Sequence, residues 1–256
     1  MKKLLFLVPF FQSVFGFDLG IATHNLHIAA ATYCDIEQLT NWNCKHCLPD
    51  IQVQAIIPDE STIIVARDSV QNATVFAFRG SVNVENWISN LQFSVISPYE
   101  DHYIKVHKGL YHEYLRYKDE ISAYLVPGDK IVLTGHSSGA AMSMFFAYDI
   151  YKDYVVVVYT FGKPRIGNAK FAESTSAINH FRITHADDIV PHIPEELLGY
   201  RHTGVEVWNY DDTSNNYKVC ANSEDKSCSN SCAPLHCTSI PDHLFYLGMA
   251  IGSMSC

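Results

Sequence analysis

The sequence predicts an α/β fold in which helices flank a mostly parallel sheet, and three observations carry that expectation. Strand-like and helix-like runs alternate through the second half of the chain, the pattern of strands joined by crossover helices. An apolar run, Ile131-Val132-Leu133-Thr134, leads directly into Gly135-His136-Ser137-Ser138-Gly139 and then into a helix-like segment. Finally, 256 residues with 48% apolar and 18% charged side chains suffice for one sizeable core and exclude disorder, collagen and long coiled coil.

Taken in order, three short β-rich runs come first, at residues 50–57, 62–67 and 74–78. A helix is expected over 108–125, because Leu110, Tyr114, Ile121 and Leu125 recur near the 3.6-residue period and lay one apolar stripe along it. Strand 130–134, helix 139–153 and strand 154–161 follow. Further strands are expected at 179–184 and 203–208, with a closing helix over 242–250. No internal repeat, low-complexity tract or Pro/Gly/Ser-rich linker divides residues 17–256, so one domain is expected there.

The N-terminus reads differently. Met1, Lys2 and Lys3 form a basic head, Leu4 to Phe11 an apolar stretch broken only by Pro9, and Val14-Phe15-Gly16 a small-residue exit, so residues 1–16 are expected to be a secretory signal peptide. A membrane anchor would need about 20 apolar residues, and Gln12, Ser13 and Asp18 interrupt the run. No later segment is apolar enough to span a membrane. The full chain carries 18 basic and 27 acidic residues, a net charge of −9. Removing the leader takes away Lys2 and Lys3 and no acid, which leaves 16 against 27, or −11. With no Lys/Arg run to track phosphates, nucleic acid is excluded as a partner.

An extracellular, oxidising destination makes disulfides the default for the eight cysteines. Residues 209–240 are polar, poor in aliphatics and hold Cys220, Cys228, Cys232 and Cys237, which reads as a surface excursion pinned by two bridges among three possible pairings. A zinc site from Cys228, Cys232, His236 and Cys237 is the competing reading, but it lacks paired CxxC spacing. Asn72-Ala73-Thr74 is a glycosylation sequon between two strand-like runs, so Asn72 is expected in a solvent-facing hairpin loop.

The chemistry centres on G-x-S-x-G. A serine on a sharp strand-to-helix turn has its Oγ pushed out of the sheet, and flanking glycines let neighbouring backbone approach without a Cβ clash. Ser137 is the expected nucleophile. Its hydroxyl needs a histidine base, itself oriented by a carboxylate, in the chain order Ser, acid, His. Downstream of Ser137, Asp187 and Asp188 compete for the acid. His192, His202, His236 and His243 compete for the base, with position favouring His243 only mildly. The 13 histidines show no HExxH or comparable ligand spacing, so neither a metal nor another cofactor is expected.

Six segments in register resolve these choices by resemblance. They are Phe78-Arg79-Gly80-Ser81, Glu85-Asn86-Trp87-Ile88, Gly135 to Ala141, Phe161-Gly162-Lys163-Pro164-Arg165-Ile166-Gly167-Asn168, Asp188 to Pro194 and Asp242 to Gly248. Their order resembles the class 3 lipase family, filamentous-fungal triacylglycerol lipases above all, from about Leu19 to Cys256 and lapsing around 209–240. The resemblance implies an α/β-hydrolase fold with Ser137 as nucleophile, Asp188 as acid and His243 as general base. It also implies an oxyanion hole at Ser81, through its N–H and hydroxyl, and at the N–H of Ser138. The helix-like stretch that places Val84, Trp87, Ile88 and Leu91 on one face would be a lid, and Cys34–Cys256 and Cys44–Cys47 would be disulfides. Two departures stand out: Ser138 where the family usually has Leu, and the cysteine excursion.

What the resemblance implies is a secreted serine lipase acting on acylglycerol esters at an oil–water or membrane interface. Phospholipase A1 or feruloyl-type esterase activity with the same triad is the alternative, and a non-catalytic lipid-binding relative would lack a triad member.

Overall fold

Alternation along the central strands serves two cores at once. In a computed structural model that describes residues 16–233 and 236–256, side chains of successive strand residues enter opposite faces of one sheet, as strands covered on both sides must. Ala73, Val75 and Ala77 join the first core, while Phe76 and Phe78 join the second. The same split recurs one strand on, with Val132 on the first side and Ile131 and Leu133 on the second.

The chain opens with α1 (Leu19–Ala31), whose N-cap Asp18 accepts a 2.9 Å bond from the Ile21 N–H, satisfying a donor that the helix itself cannot. Helix α2 (Ile36–Thr40) comes next. Strands β1 (Ile51–Ile57), β2 (Ile63–Asp68) and β3 (Ala73–Phe78) form an antiparallel meander. The short helix α3 (Val84–Asn90) and strands β4 (Val95–Ile96) and β5 (Val106–His107) follow, and then α4 (Lys108–Leu115) and α5 (Lys118–Ser122). Strand β6 (Lys130–His136) feeds α6 (Ser138–Ile150), and β7 (Val155–Phe161) leads through β8 (Gly167–Asn168) and α7 (Ala169–Ser174) to β9 (Asn179–His185). The remainder is β10 (Tyr200–Arg201), β11 (Val205–Asn209), β12 (Tyr217–Val219) and a terminal hairpin of β13 (Phe245–Tyr246) and β14 (Met249–Ala250).

The main sheet runs β1-β2-β3-β6-β7-β9-β11-β12, parallel from β3 to β11 and antiparallel at both margins. Helix α1 covers the first face and α4 with α6 the second. Helix α6 is buried almost all round, which explains its lack of a polar stripe: Ser138 to Ala147 are all inaccessible to solvent. Among the described residues no helix is long and apolar enough to cross a membrane. The expected leader, apart from Gly16, lies outside the described residues.

Two expected elements need correction, and one helix was not foreseen. The helix expected over 108–125 is two, because Arg116 and Tyr117 close i→i−3 turns onto Glu113 and Tyr114. Arg116 there turns outward to Asp59 and Glu60, which ends the regular stripe. The closing helix over 242–250 is a single 3-10 turn at Asp242–Leu244 and then the β13–β14 hairpin. Leu247 and Gly248 both have positive φ, 48° and 79°. That is the conformation of a two-residue type I′ turn, and Leu247 is held there by burial and by its N–H bond to Asn209 Oδ1. Composition could not show that an apolar leucine occupies a turn. The first helix, Leu19–Ala31, is not among the expected elements.

The eight cysteines form Cys34–Cys256, Cys44–Cys47, Cys220–Cys228 and Cys232–Cys237. The zinc reading of Cys228, Cys232, His236 and Cys237 therefore fails, since Cys228 is bonded to Cys220 and Cys232 to Cys237 and His236 is exposed.

Candidate active site

Ser137 stands between β6 and α6 with φ 58° and ψ −128°. That combination is strained for a residue with a Cβ. Its N–H remains in the sheet, donating to Phe161 O at 3.0 Å, while the chain turns sharply into the helix. The glycines on either side are required by contact. A Cβ on Gly135 would lie 2.7 Å from Gly139 backbone, and one on Gly139 would lie 2.7 Å from Arg79 backbone. The elbow and the loop after β3 are therefore in direct van der Waals contact.

The loop after β9 separates the two competing acids. Asp187 is exposed and its N–H is taken by Asp242 Oδ2 at 3.0 Å. Asp188 turns inward, 1% exposed, where Oδ1 accepts from Val190 N–H at 2.8 Å and Oδ2 accepts from His243 Nδ1 at 2.9 Å. Tyr246 Oη donates a short hydrogen bond to the same Oδ2. A carboxylate accepting three donors is held firmly in place. With Nδ1–H committed to Asp188, His243 must present Nε2 as the lone pair, which is the tautomer a general base needs.

His243 and Ser137 are both 0% exposed, and neither Nε2 nor Oγ has a hydrogen-bond partner among the described residues. These are the two atoms between which a proton would pass. The other candidate bases lie elsewhere: His202 Nε2 donates to Pro191 O at 2.7 Å, His192 stands 3.7 Å from Cys232 Sγ, and His236 faces solvent.

Three residues missed by sequence reasoning brace this arrangement. His136 Nε2 lies 2.8 Å from the His243 carbonyl. A carbonyl only accepts, so Nε2 is the donor and Nδ1 carries the lone pair. That lone pair accepts from Tyr33 Oη at 2.7 Å. Tyr33 Oη in turn accepts the Gly80 N–H at 3.1 Å. One buried chain of bonds thus runs from the loop before Ser81, past the residue before Ser137, to the backbone of the base. Burial keeps the His136 imidazole neutral, with its pKa well below the usual histidine value, and pushes the Tyr33 phenol up. Tyr246 is the third. Only its i+3 spacing from His243 was visible in advance, and that spacing carries no signal outside the hairpin it belongs to.

Ser81 N–H donates to Ser138 Oγ at 3.1 Å, and the Ser81 and Ser138 hydroxyls are 3.2 Å apart. Ser138 is also the first residue of α6, whose first-turn N–H groups have no acceptor within the helix and carry its positive end. Beyond Ser81, Asn83 caps α3 by accepting the Asn86 N–H at 3.0 Å, as short polar side chains do at this position. Val84 is buried and Trp87, Ile88 and Leu91 are half-buried, whereas Glu85, Asn86, Ser89 and Asn90 are exposed or nearly so. A cavity of about 530 Å³ lies between this helix and the start of α4, lined by Ser81, Trp87, Leu91, His107 and Leu110.

The excursion is tied back to the domain through Arg165. Glu224 forms a bidentate pair with Arg165 at 2.8 and 3.0 Å, the geometry that suits a guanidinium and a carboxylate. Arg165 Nη1 also donates to His192 O and Pro194 O at 2.9 and 3.1 Å. Arg165, from the Phe161 to Asn168 motif, therefore ties the excursion to the loop that carries Asp188. Asn72, the sequon residue, sits exposed at the β2–β3 turn with φ 47°, on the solvent-facing loop expected for it.

Residues 75–198 match the family described as lipase (class 3). The chain is 32% identical to a lipase of Rhizomucor miehei over 92% of its own length and 70% of the relative's. It is 32% identical to secreted mono- and diacylglycerol lipase 1 of Fusarium solani, over 79% of this chain and 69% of that one. A solved structure described as a serine protease triad forming the catalytic centre of a triacylglycerol lipase superposes with a TM-score of 0.82 at 30% identity, covering 92% of this chain and 96% of the other. With identity at this level spread over most of both chains, this chain belongs to the class 3 lipase family, and its sheet is that of an α/β-hydrolase.

Proposed function

We propose that this chain is a secreted serine lipase that hydrolyses acylglycerol esters through an acyl-enzyme on Ser137. The observation that carries the reading is the buried pair His243 Nδ1–Asp188 Oδ2 at 2.9 Å, with His243 Nε2 and Ser137 Oγ both buried and left without a partner among the described residues. His243 Nε2 takes the Ser137 proton as Oγ attacks the ester carbonyl. Asp188 stabilises the imidazolium, and the same proton then passes to the departing glycerol oxygen. Water repeats the sequence in reverse to release the fatty acid. Ser81 N–H and hydroxyl, with the Ser138 N–H, would hold the tetrahedral oxyanion, each such donor contributing on the order of 3 kcal/mol to the transition state.

Helix α3 is the lid in this reading. Its apolar side, Val84, Trp87, Ile88 and Leu91, is turned toward the protein while its polar side meets water, and the nucleophile and base are inaccessible. A lipid surface offers that apolar side an alternative partner, so opening is favoured at an interface. A charge of −11 for the chain without its leader disfavours docking to anionic lipid and leaves apolar insertion as the route. Four disulfides and a Fusarium relative described as secreted support an extracellular site of action, and the Asn72 turn would carry a glycan there.

A pH-stat assay on emulsified triglyceride across the solubility limit tests the whole reading. The rate is expected to jump at the interface, and Ser137→Ala is expected to lower it about 10⁴-fold or more with unchanged thermal unfolding. Full hydrolysis by the variant would remove Ser137 from the mechanism. Parallel assays with phosphatidylcholine and methyl ferulate separate the lipase from the two related ester hydrolases.

A further inference from the structure

The two groups of Ser81 that would serve an oxyanion converge on a single atom. Its N–H lies 3.1 Å and its hydroxyl oxygen 3.2 Å from Ser138 Oγ. Two groups gathered at this range about one oxygen form the arrangement a hole adopts around a tetrahedral intermediate's oxygen. Here the oxygen belongs to the protein. It is supplied by the residue directly after the nucleophile, a position at which a hydrocarbon side chain would have no oxygen to offer.

The surroundings make that contact persistent. Ser138 is 0% exposed, and the loop is pressed on the elbow: a Cβ on Gly80 would lie 2.8 Å from Ser137 Cβ, and one on Gly139 would lie 2.7 Å from Arg79 O. Gly80 N–H is engaged by Tyr33 Oη at 3.1 Å, so the peptide before Ser81 is anchored as well. In a covered site an unpaired Ser81 N–H would be costly. Ser138 Oγ satisfies it.

We propose that Ser138 Oγ is an internal stand-in for the substrate oxyanion, occupying Ser81's donors in the resting enzyme and rotating away about its side-chain bond when substrate arrives. The inference rests on reading Ser137 as the nucleophile of a serine hydrolase. A hydroxyl is a weaker acceptor than an oxyanion, so the transition state displaces it readily, whereas a neutral ester carbonyl competes with it on nearly equal terms. The contact therefore holds back binding in the hole until charge develops. Ser138 acts here through Ser81 and is a positioning residue.

The test uses a soluble short-chain p-nitrophenyl ester below its solubility limit, with active enzyme counted by fluorophosphonate labelling of Ser137. Ser138→Ala is expected to raise kcat/KM about fivefold, the scale of one neutral hydrogen bond exchanged. It is expected to tighten binding of an alkylboronic acid, whose tetrahedral adduct places an oxygen in the hole, by a similar factor. Ser138→Thr keeps the hydroxyl and is expected to lose the gain that Ser138→Ala shows in both measurements, a reversal that a general packing effect would not produce. An unchanged Ser138→Ala overturns the proposal. So does a fall of tenfold or more, which would make the hydroxyl a transition-state donor. A wild-type chain that neither hydrolyses the ester nor labels at Ser137 overturns the serine-hydrolase reading itself, and the stand-in with it.

Discussion

The acid–base half of the site and its oxyanion half are built to different standards of rigidity. Asp188 and His243 are fully buried, and the carboxylate accepts from the Val190 N–H, His243 and Tyr246. The His243 backbone is held by His136, and the Asp188 loop by Arg165 through His192 and Pro194. In the oxyanion half the chain is anchored up to Gly80, by Tyr33 and by contact with the elbow, and the ties thin out from Ser81 onward. Ser81 is half-buried, its groups are met by one serine side chain, and it leads into a short helix whose outer face is polar and exposed. Proton transfer requires one geometry throughout the cycle, so that half is preformed. Access to lipid requires a change of cover, so the segment beyond Ser81 is left loosely tied.

Substitutions at the rigid half are expected to have the largest effects. Asp188→Asn keeps the shape but removes the charge that stabilises the imidazolium, and a fall of about 10⁴-fold in kcat is expected. A loss below about tenfold would mean that another group orients His243. Tyr246→Phe is milder, with kcat expected to fall by no more than about tenfold. A fall of about 100-fold or more would give the phenol a larger part than steadying the carboxylate.

The smallest effect concerns the floor of the covered half. His107 caps α4 by accepting the Leu110 N–H at 3.2 Å, is 1% exposed, and has its pKa lowered from 6.5 to about 4 by burial. The unfolded chain therefore binds a proton between pH 6.5 and 4 that the native state resists. The native advantage is complete above the ordinary histidine value and shrinks as pH falls toward the depressed one, by up to ~3 kcal/mol for this one group. His107→Asn keeps a capping acceptor but cannot titrate, so its stability should vary less over that window. Thermal melts at intervals between neutral pH and the depressed value would show it, and parallel curves would refute it. His136, His180 and His202 are shifted the same way by burial and add to the acid sensitivity of both proteins.

Local sequence carried the parts of this molecule that depend on neighbours in the chain. The apolar run of β6, the G-x-S-x-G turn and the inward face of α3 all follow from spacing, because strand, elbow and amphipathic helix are short-range objects. The polarity of residues 209–240 gave no sign that Tyr217–Val219 would join the main sheet as β12 or that Cys228 and Ser229 would be buried. Resemblance then separated Asp188 from Asp187 and His243 from its competitors, which spacing left open.

What only the tertiary structure decided are relations between distant segments. That Asp188 faces inward and Asp187 outward depends on Ser239 and Asp242, far later in the chain. That 242–250 is a hairpin depends on a buried Leu247 accepting positive φ, a cost that packing and the Asn209 bond offset and composition cannot reveal. The sequence alone singled out Ser137 as the proposed nucleophile, because the strand-to-helix elbow is written in five adjacent residues. Its partners, the Tyr33–His136 brace and the Ser138 oxygen among Ser81's donors are fixed by burial and hydrogen-bond satisfaction, which exist only once the sheet has brought those segments together.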